Sequence, residues 1–148
     1  KIPRYMCGKH DFAPSICYEL AFPHFMQKAN FIMPDGLEAK ADYHVNITND
    51  AWFGTSYGPW LHGIMSKYRA IESRIQIYRS ANTGISMIVD PMGRVLKQTS
   101  LFSIENITAP LYISSRIPLY HKIYTYPKLF VYAALAMFLL SLFFARRS

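Results

Sequence analysis

From Leu129 to Ala145 the chain carries no charge, glycine or proline, and it closes on Arg146-Arg147-Ser148. Wound as a helix, that run would be roughly 25 Å long at 1.5 Å per residue, close to a hydrocarbon core of roughly 30 Å. Paired arginines favour the cytoplasmic side of a bilayer, and Tyr124 and Tyr126 suit the opposite interface. The pattern predicts one transmembrane helix with a short basic cytoplasmic tail over residues 123–148. A fully buried core helix is the alternative reading of a segment apolar on every face. With the tail in the cytoplasm, residues 1–122 lie across the membrane, in the periplasm if the cell is a double-membraned bacterium. Lys1-Ile-Pro-Arg-Tyr-Met reads as the interior of a longer protein rather than a translation start.

Upstream of that run the periodicity is mixed. Ser15-Ile-Cys-Tyr-Glu reads as a strand turning into a helical stretch, and Asp42 to Thr48 alternates as a strand. Pro59 suits a first helical position. Leu61, Ile64, Met65, Tyr68 and Ile71 then fall on one helical face, the face expected to pack. Ile85 to Asp90, the turn Pro91-Met-Gly-Arg and Val95 to Lys97 read as a hairpin. Ile104 to Ile113 is one further strand candidate. Alternating strands and helices followed by strands define an α/β layer architecture.

The formal charge is +7 and the pI near 9.5. The basic residues are scattered, whereas a nucleic-acid surface clusters them and interleaves aromatics. No nucleic-acid partner is therefore expected. Two cysteines, Cys7 and Cys17, are too few for a disulfide scaffold, and no disulfide between them is expected. Histidines 10, 24, 44, 62 and 121 are dispersed and follow no metal-ligand spacing. Neither a metal nor a cofactor is predicted. Asn46-Ile-Thr48 and Asn106-Ile-Thr108 match the glycosylation triplet, a pattern short enough to recur by chance.

Cys17 is the chemical candidate. A cysteine at a strand-to-helix turn is presented outward, and a helix start nearby favours its thiolate. Free cysteine is also among the most buried residue types, so the turn alone leaves a structural role open. The surrounding residues narrow the choice. Ile16-Cys17-Tyr18-Glu19 is followed in order by Asn49-Asp-Ala-Trp-Phe-Gly54, Gly58-Pro59, His62, Arg69-Ala-Ile-Glu72, Arg79, Asn82-Thr-Gly84-Ile-Ser86 and Asp90-Pro-Met-Gly93. These blocks resemble the nitrilase superfamily of carbon–nitrogen hydrolases. The Cys-Tyr-Glu form together with the terminal apolar run is most similar to the apolipoprotein N-acyltransferases.

The resemblance implies the C-terminal half of a nitrilase-like αββα sandwich over residues 1–122. It implies a membrane enzyme of the bacterial inner membrane, with phospholipid as acyl donor and the N-terminal diacylglyceryl-cysteine of an apolipoprotein as acceptor. Cys17 would carry the acyl chain as a thioester. The Tyr18 N–H would serve the oxyanion. Glu19 would turn away from the thiol onto a cationic or N–H partner, since a carboxylate beside Cys17 opposes thiolate formation. Trp52 and Phe53 would line the lipid entrance, or pack as core aromatics. Glu72 and Arg79 would be structural ion-pair residues, Arg79 at a strand edge, and His62 a satisfied polar residue. The family's Glu-Lys-Cys triad has its Glu and Lys upstream of the nucleophile. Two other readings stay open: a membrane-tethered amidase or nitrilase with water as second nucleophile, and an incomplete fragment acting as a binding module.

Overall fold

The computed structural model describes residues 2–124 and 126–145, with backbone alone for 126–129 and 141–145. They form two units, Lys1–Pro118 and Leu119–Ser148.

The first unit is one six-stranded sheet in sequential order: β1 (Tyr5–Cys7), β2 (His10–Ile16), β3 (Tyr43–Asn49), β4 (Gln76–Asn82), β5 (Met87–Val89) and β6 (Val95–Gln98). The central strands β2, β3 and β4 are parallel and the flanking strands antiparallel. Parallel neighbours need a crossover, and two helices supply it: α1 (Pro23–Phe31) between β2 and β3, and α2 (Gly58–Ser73) between β3 and β4. Right-handed crossovers in a sequential sheet put both helices on one face. Pro23 and Pro59 occupy first-turn positions, where a missing N–H costs nothing. Pro14 lies inside β2 but past the end of the β1 register, where that side of the strand is an edge that tolerates proline.

Register fixes which residues look inward. Ala13, Ser15, His44, Asn46, Ile77 and Arg79 turn to the helices and are buried. Leu20, Met26, Ala70, Ile77, Ile85, Met87 and Val89 form one apolar cluster beneath the helices, and Ala13, Ala29, Phe31, Ala41 and Ile75 a second. The opposite face carries Phe12, Tyr43, Val45, Ile47 and Tyr78, with Tyr5, Phe12 and Tyr43 stacked in series. Towards the end of β2 this face is open: Ile16 is 61% and Ile47 52% exposed.

Three sequence expectations need correction. Most of the apolar stripe of α2 points outward: Leu61, Ile64, Tyr68 and Ile71 are exposed and Met65 alone of the five packs against the core, while Pro59, His62, Gly63, Ser66, Ala70 and Ser73 are buried. Small and polar residues let the helix sit close enough to the sheet to share its hydrogen bonds. Residues 104–113 form no strand. Pro110 cannot donate to a ladder, and the buried Gln76 side chain takes over the pairing. Its Nε2 donates to the Pro110 carbonyl at 3.0 Å and its Oε1 accepts the Tyr112 N–H at 3.0 Å. Lys40 Nζ clips the same segment through the carbonyls of Ser114 (2.6 Å) and Arg116 (3.1 Å). Arg79 is not at a sheet edge, because β4 lies between β3 and β5. The hairpin forms as read, with Gly93 at φ +80° and Asp90 Oδ1 accepting the N–H groups of Met92 and Arg94 at 2.9 Å each.

The second unit contains α3 (Leu119–Ile123) and α4 (Tyr126–Ala145). The apolar run is thus helical, yet among the described residues no helix is long and apolar enough to cross a membrane. The portion of α4 with described side chains, 130–140, would cover about 16 Å, roughly half a hydrocarbon core. Arg146 and Arg147 lie outside the described residues.

Candidate active site around Cys17

Strand β2 stops at Ile16, and Cys17 turns the chain into a short 3-10 segment, Cys17–Ala21. Cys17 adopts φ +49°, the left-handed region, which costs a residue with a Cβ about 1–2 kcal/mol. Such a conformation persists only where its surroundings over-determine it. Here the Cys17 carbonyl accepts two side-chain donors, Asn46 Nδ2 and His62 Nε2, each at 3.3 Å. Glu19 folds back one turn, and its Oε2 accepts the Ile16 N–H at 2.7 Å, closing the turn from the other side. Cys7 and Cys17 are both free thiols; Cys7 is exposed on β1 and Cys17 is partly exposed.

Beneath Cys17 the buried polar residues form one connected network. Asp50, just past the end of β3, is the anionic centre. Its Oδ1 contacts His62 Nδ1 at 2.9 Å and accepts Thr48 Oγ1 at 3.1 Å, and its Oδ2 accepts Arg79 Nη2 at 2.6 Å. All three of Asp50, His62 and Arg79 are essentially inaccessible to solvent. Gly84 faces Asp50 with no room for a side chain: an added Cβ would lie 2.3 Å from Oδ2. Burial pushes the Arg79 guanidinium below its usual range, opposed first by the Asp50 charge and hydrogen bond and then by Cys17.

From Arg79 the network runs away from the charges. Arg79 Nη1 donates to Asn46 Oδ1 at 2.8 Å, and Asn46 Nδ2 donates to Ser15 Oγ at 2.9 Å. Ser15 Oγ lies 2.7 Å from His44 Nε2, and His44 Nδ1 lies 2.8 Å from Asn30 Oδ1. Burial, aided by the Arg4 charge, lowers His44 from 6.5 to about 3, so this ring is neutral. A neutral imidazole offers one donor and one acceptor. The amide oxygen of Asn30 accepts a hydrogen bond from Nδ1–H, leaving Nε2 to accept one from the Ser15 hydroxyl.

Tyr18 and Phe53 meet on the His62 ring, with centroids 5.4 Å and 6.2 Å from it, and Tyr18 also packs edge-on against Phe22 at 6.2 Å. Cys17, Tyr18, Glu19 and Phe53 are therefore one cluster. Trp52 is 81% exposed, and neither it nor Phe53 is a buried core aromatic. Glu72 pairs with Arg69 on α2 at 2.5 Å, separately from the Asp50–Arg79 pair. Among the described residues no three His, Cys, Asp or Glu side chains gather as a metal site.

Sequence reading passed over Asn46 and Asp50 as chemical residues. The signal was in β3, where His44, Asn46 and Thr48 alternate with Tyr43, Val45 and Ile47. Alternation reports a strand, and the polar side is ordinarily taken for the wet one. In this sheet the polar side is the buried one.

The fold is thus an α/β layer with a thiol at a left-handed turn between a parallel strand and a helix, its carbonyl pinned from below. The chain belongs to the carbon-nitrogen hydrolase family, whose sequence model matches residues 8–118. Among its relatives is an apolipoprotein N-acyltransferase of Rickettsia typhi, 47% identical over 94 residues, which cover 64% of this chain and 17% of that protein. The apolipoprotein N-acyltransferase of Haemophilus ducreyi is 40% identical over 74% of this chain and 20% of its own length. That of Photobacterium profundum is 31% identical over 99% of this chain and 27% of its own length. The chain thus spans between 17% and 27% of the lengths of these relatives. Solved structures agree on the fold. A CN-hydrolase superfamily protein of Xanthomonas campestris superposes with a TM-score of 0.53 at 17% identity, over 67% of this chain and 39% of that one. An amidase of Nesterenkonia sp. AN1, whose structure shows a covalent adduct at its active-site cysteine, gives 0.50 at 21% identity, over 68% and 37%.

Proposed function

We propose that this chain is the nucleophile-bearing part of an apolipoprotein N-acyltransferase, with Cys17 as the residue that carries the acyl group. The observation that supports this most is the coincidence of two facts at one residue. Cys17 stands at the pinned, left-handed turn, and the chain around it is 31–47% identical to proteins bearing that name. In the first step the Cys17 thiolate adds to the ester carbonyl of a phospholipid. The C–S bond forms, the C–O bond breaks, and the departing lysophospholipid oxygen takes up a proton. In the second step the amine of the lipoprotein's N-terminal diacylglyceryl-cysteine adds to the thioester. The amide C–N bond forms, the C–S bond breaks, the nitrogen gives up a proton to a base, and the thiolate is regenerated. The base and oxyanion partner would be the Glu and Lys of the family's triad, supplied by the rest of the protein. The backbone N–H of Tyr18 would be a further oxyanion donor. Glu19, bonded to Ile16, acts by holding the turn. Phe53 and Tyr18, which meet on the His62 ring, would line the path by which an acyl chain enters, with the exposed Trp52 at its rim.

The open face of the sheet, aromatic and aliphatic, is where the second layer pair of an αββα sandwich would pack. Attachment to a bacterial inner membrane, with Cys17 on the periplasmic side, is supported by the uncharged run Leu129–Ala145 and the arginines after it.

The test is an acyl-transfer assay with the full-length protein in phospholipid vesicles and a diacylglyceryl lipoprotein as acceptor, read by mass spectrometry. N-acylated lipoprotein is expected from the wild type. Cys17→Ser should lower its formation by at least about a hundredfold, as loss of an essential nucleophile does. Release of free fatty acid with no N-acylated product would assign the protein to hydrolysis instead.

A further inference from the structure

The His62 side chain touches both Asp50, the anionic centre of the buried network, and the nucleophile residue itself. One ring nitrogen, Nδ1, faces Asp50 at 2.9 Å and Arg79 at 3.2 Å. The other, Nε2, reaches the Cys17 carbonyl at 3.3 Å. A carbonyl oxygen can only accept, so Nε2 must carry a proton for this contact to be a hydrogen bond. The ring has little freedom to turn away. It is buried on α2 and flanked by the aromatic rings of Tyr18 and Phe53. Asn46 meets the same carbonyl from β3, and is itself oriented by Arg79 and Ser15.

We propose that His62, with Asn46 as its counterpart, is a positioning residue for Cys17, fixing the left-handed turn from which the thiol is presented. The network's buried charges are the means of holding the ring: Asp50 and Arg79 both meet Nδ1, fixing that end and thereby aiming Nε2 at the carbonyl. The inference deepens the acyl-transfer reading, in that it rests on Cys17 being the nucleophile, but it concerns the presentation of the thiol and not the substrate. A purely structural His62 would matter only through Asp50, whose buried carboxylate needs its partners. The two roles belong to different ring nitrogens and can be separated.

Asn and Gln side chains place an amide N–H near the positions of Nδ1 and Nε2 respectively. In the full-length protein, His62→Gln keeps a donor for the Cys17 carbonyl and gives up the contact with Asp50 and Arg79, while His62→Asn does the reverse. The readout is the rate of alkylation of Cys17 by iodoacetamide, followed on its peptide by mass spectrometry beside thermal unfolding. Alkylation needs no phospholipid and no acceptor, so it stands whether or not acyl transfer is observed. The expected result is an alkylation rate for His62→Gln near that of the wild type. His62→Asn should be slower by about tenfold, the factor matching loss of one ordinary hydrogen bond. Equal rates in the two variants, or a faster His62→Asn, would overturn the proposal. If neither variant folds, a histidine-selective nitrogen-15 spectrum of the wild type decides. A protonated His62 Nε2 is expected, and an unprotonated Nε2 would overturn the assignment.

Discussion

The space beneath α1 and α2 is filled with two opposite materials, which meet where His44 on β3 pairs with Ile77 on β4. The apolar end is the cluster of Leu20, Met26, Ile77, Ile85, Met87 and Val89. Next to Cys17 it is polar, with Ser15, His44, Asn46, Asp50, His62 and Arg79 joined by hydrogen bonds. Apolar contacts are non-directional, so that end sets the stability of the layer without dictating atomic positions closely. A buried polar group must find its partners in definite directions, and the network therefore determines the geometry of the turn at Cys17. The two ends should respond very differently to small changes.

The largest effect is expected at Asp50. Asp50→Ala leaves the Arg79 charge buried without its partner, and should cost about 3–5 kcal/mol in unfolding free energy. Ile77→Val, a truncation at the apolar end, should cost only about 0.5–1.5 kcal/mol. Denaturant titration of both variants measures the contrast. Similar losses would mean that the polar end is no more tightly specified than the apolar one.

A smaller effect separates the charged part of the network from its neutral part. His44 titrates at about 3 when folded and near 6.5 when unfolded. The folded value is depressed, so the unfolded chain takes up the proton first. The stability tied to neutral His44 is complete above about pH 6.5 and is lost as pH falls toward 3. The limiting slope is about 1.4 kcal/mol per pH unit. Unfolding midpoints of wild type and His44→Gln, measured from pH 7 to pH 4, should therefore fall with different slopes, the variant's being shallower. Parallel curves would remove His44 from the account of acid sensitivity.

The same contrast explains what the sequence could and could not disclose. The α/β layering, the hairpin at Gly93, the helix start at Pro59 and the family blocks around Cys17 are local signals, and each is visible in residue order. Inside and outside were harder to tell. On β3 the polar residues face inward, and on α2 the apolar stripe Leu61, Ile64, Tyr68 and Ile71 faces outward. Both inversions follow from one cause: the buried polar network requires polar strand residues and a close-lying helix with Gly63, Ser66, Ala70 and Ser73 against the sheet. Periodicity marks a face without saying which side is wet. Asp50 stands in one of the family blocks, but its place at the centre of the network is not visible in residue order, since its partners His62 and Arg79 lie 12 and 29 positions away. The failed strand at 104–113 turned on Gln76, a single side chain substituting for a ladder.

The claim on which the whole account rests is that Cys17 carries the acyl chain, and it can be read directly from the protein. Full-length enzyme incubated with phospholipid, without lipoprotein acceptor, should accumulate one fatty-acyl adduct. Mass spectrometry should place it on the peptide containing Cys17, labile to neutral hydroxylamine as a thioester is, and absent from Cys17→Ser. An adduct on another residue, or unimpaired transfer by Cys17→Ser, would contradict the account.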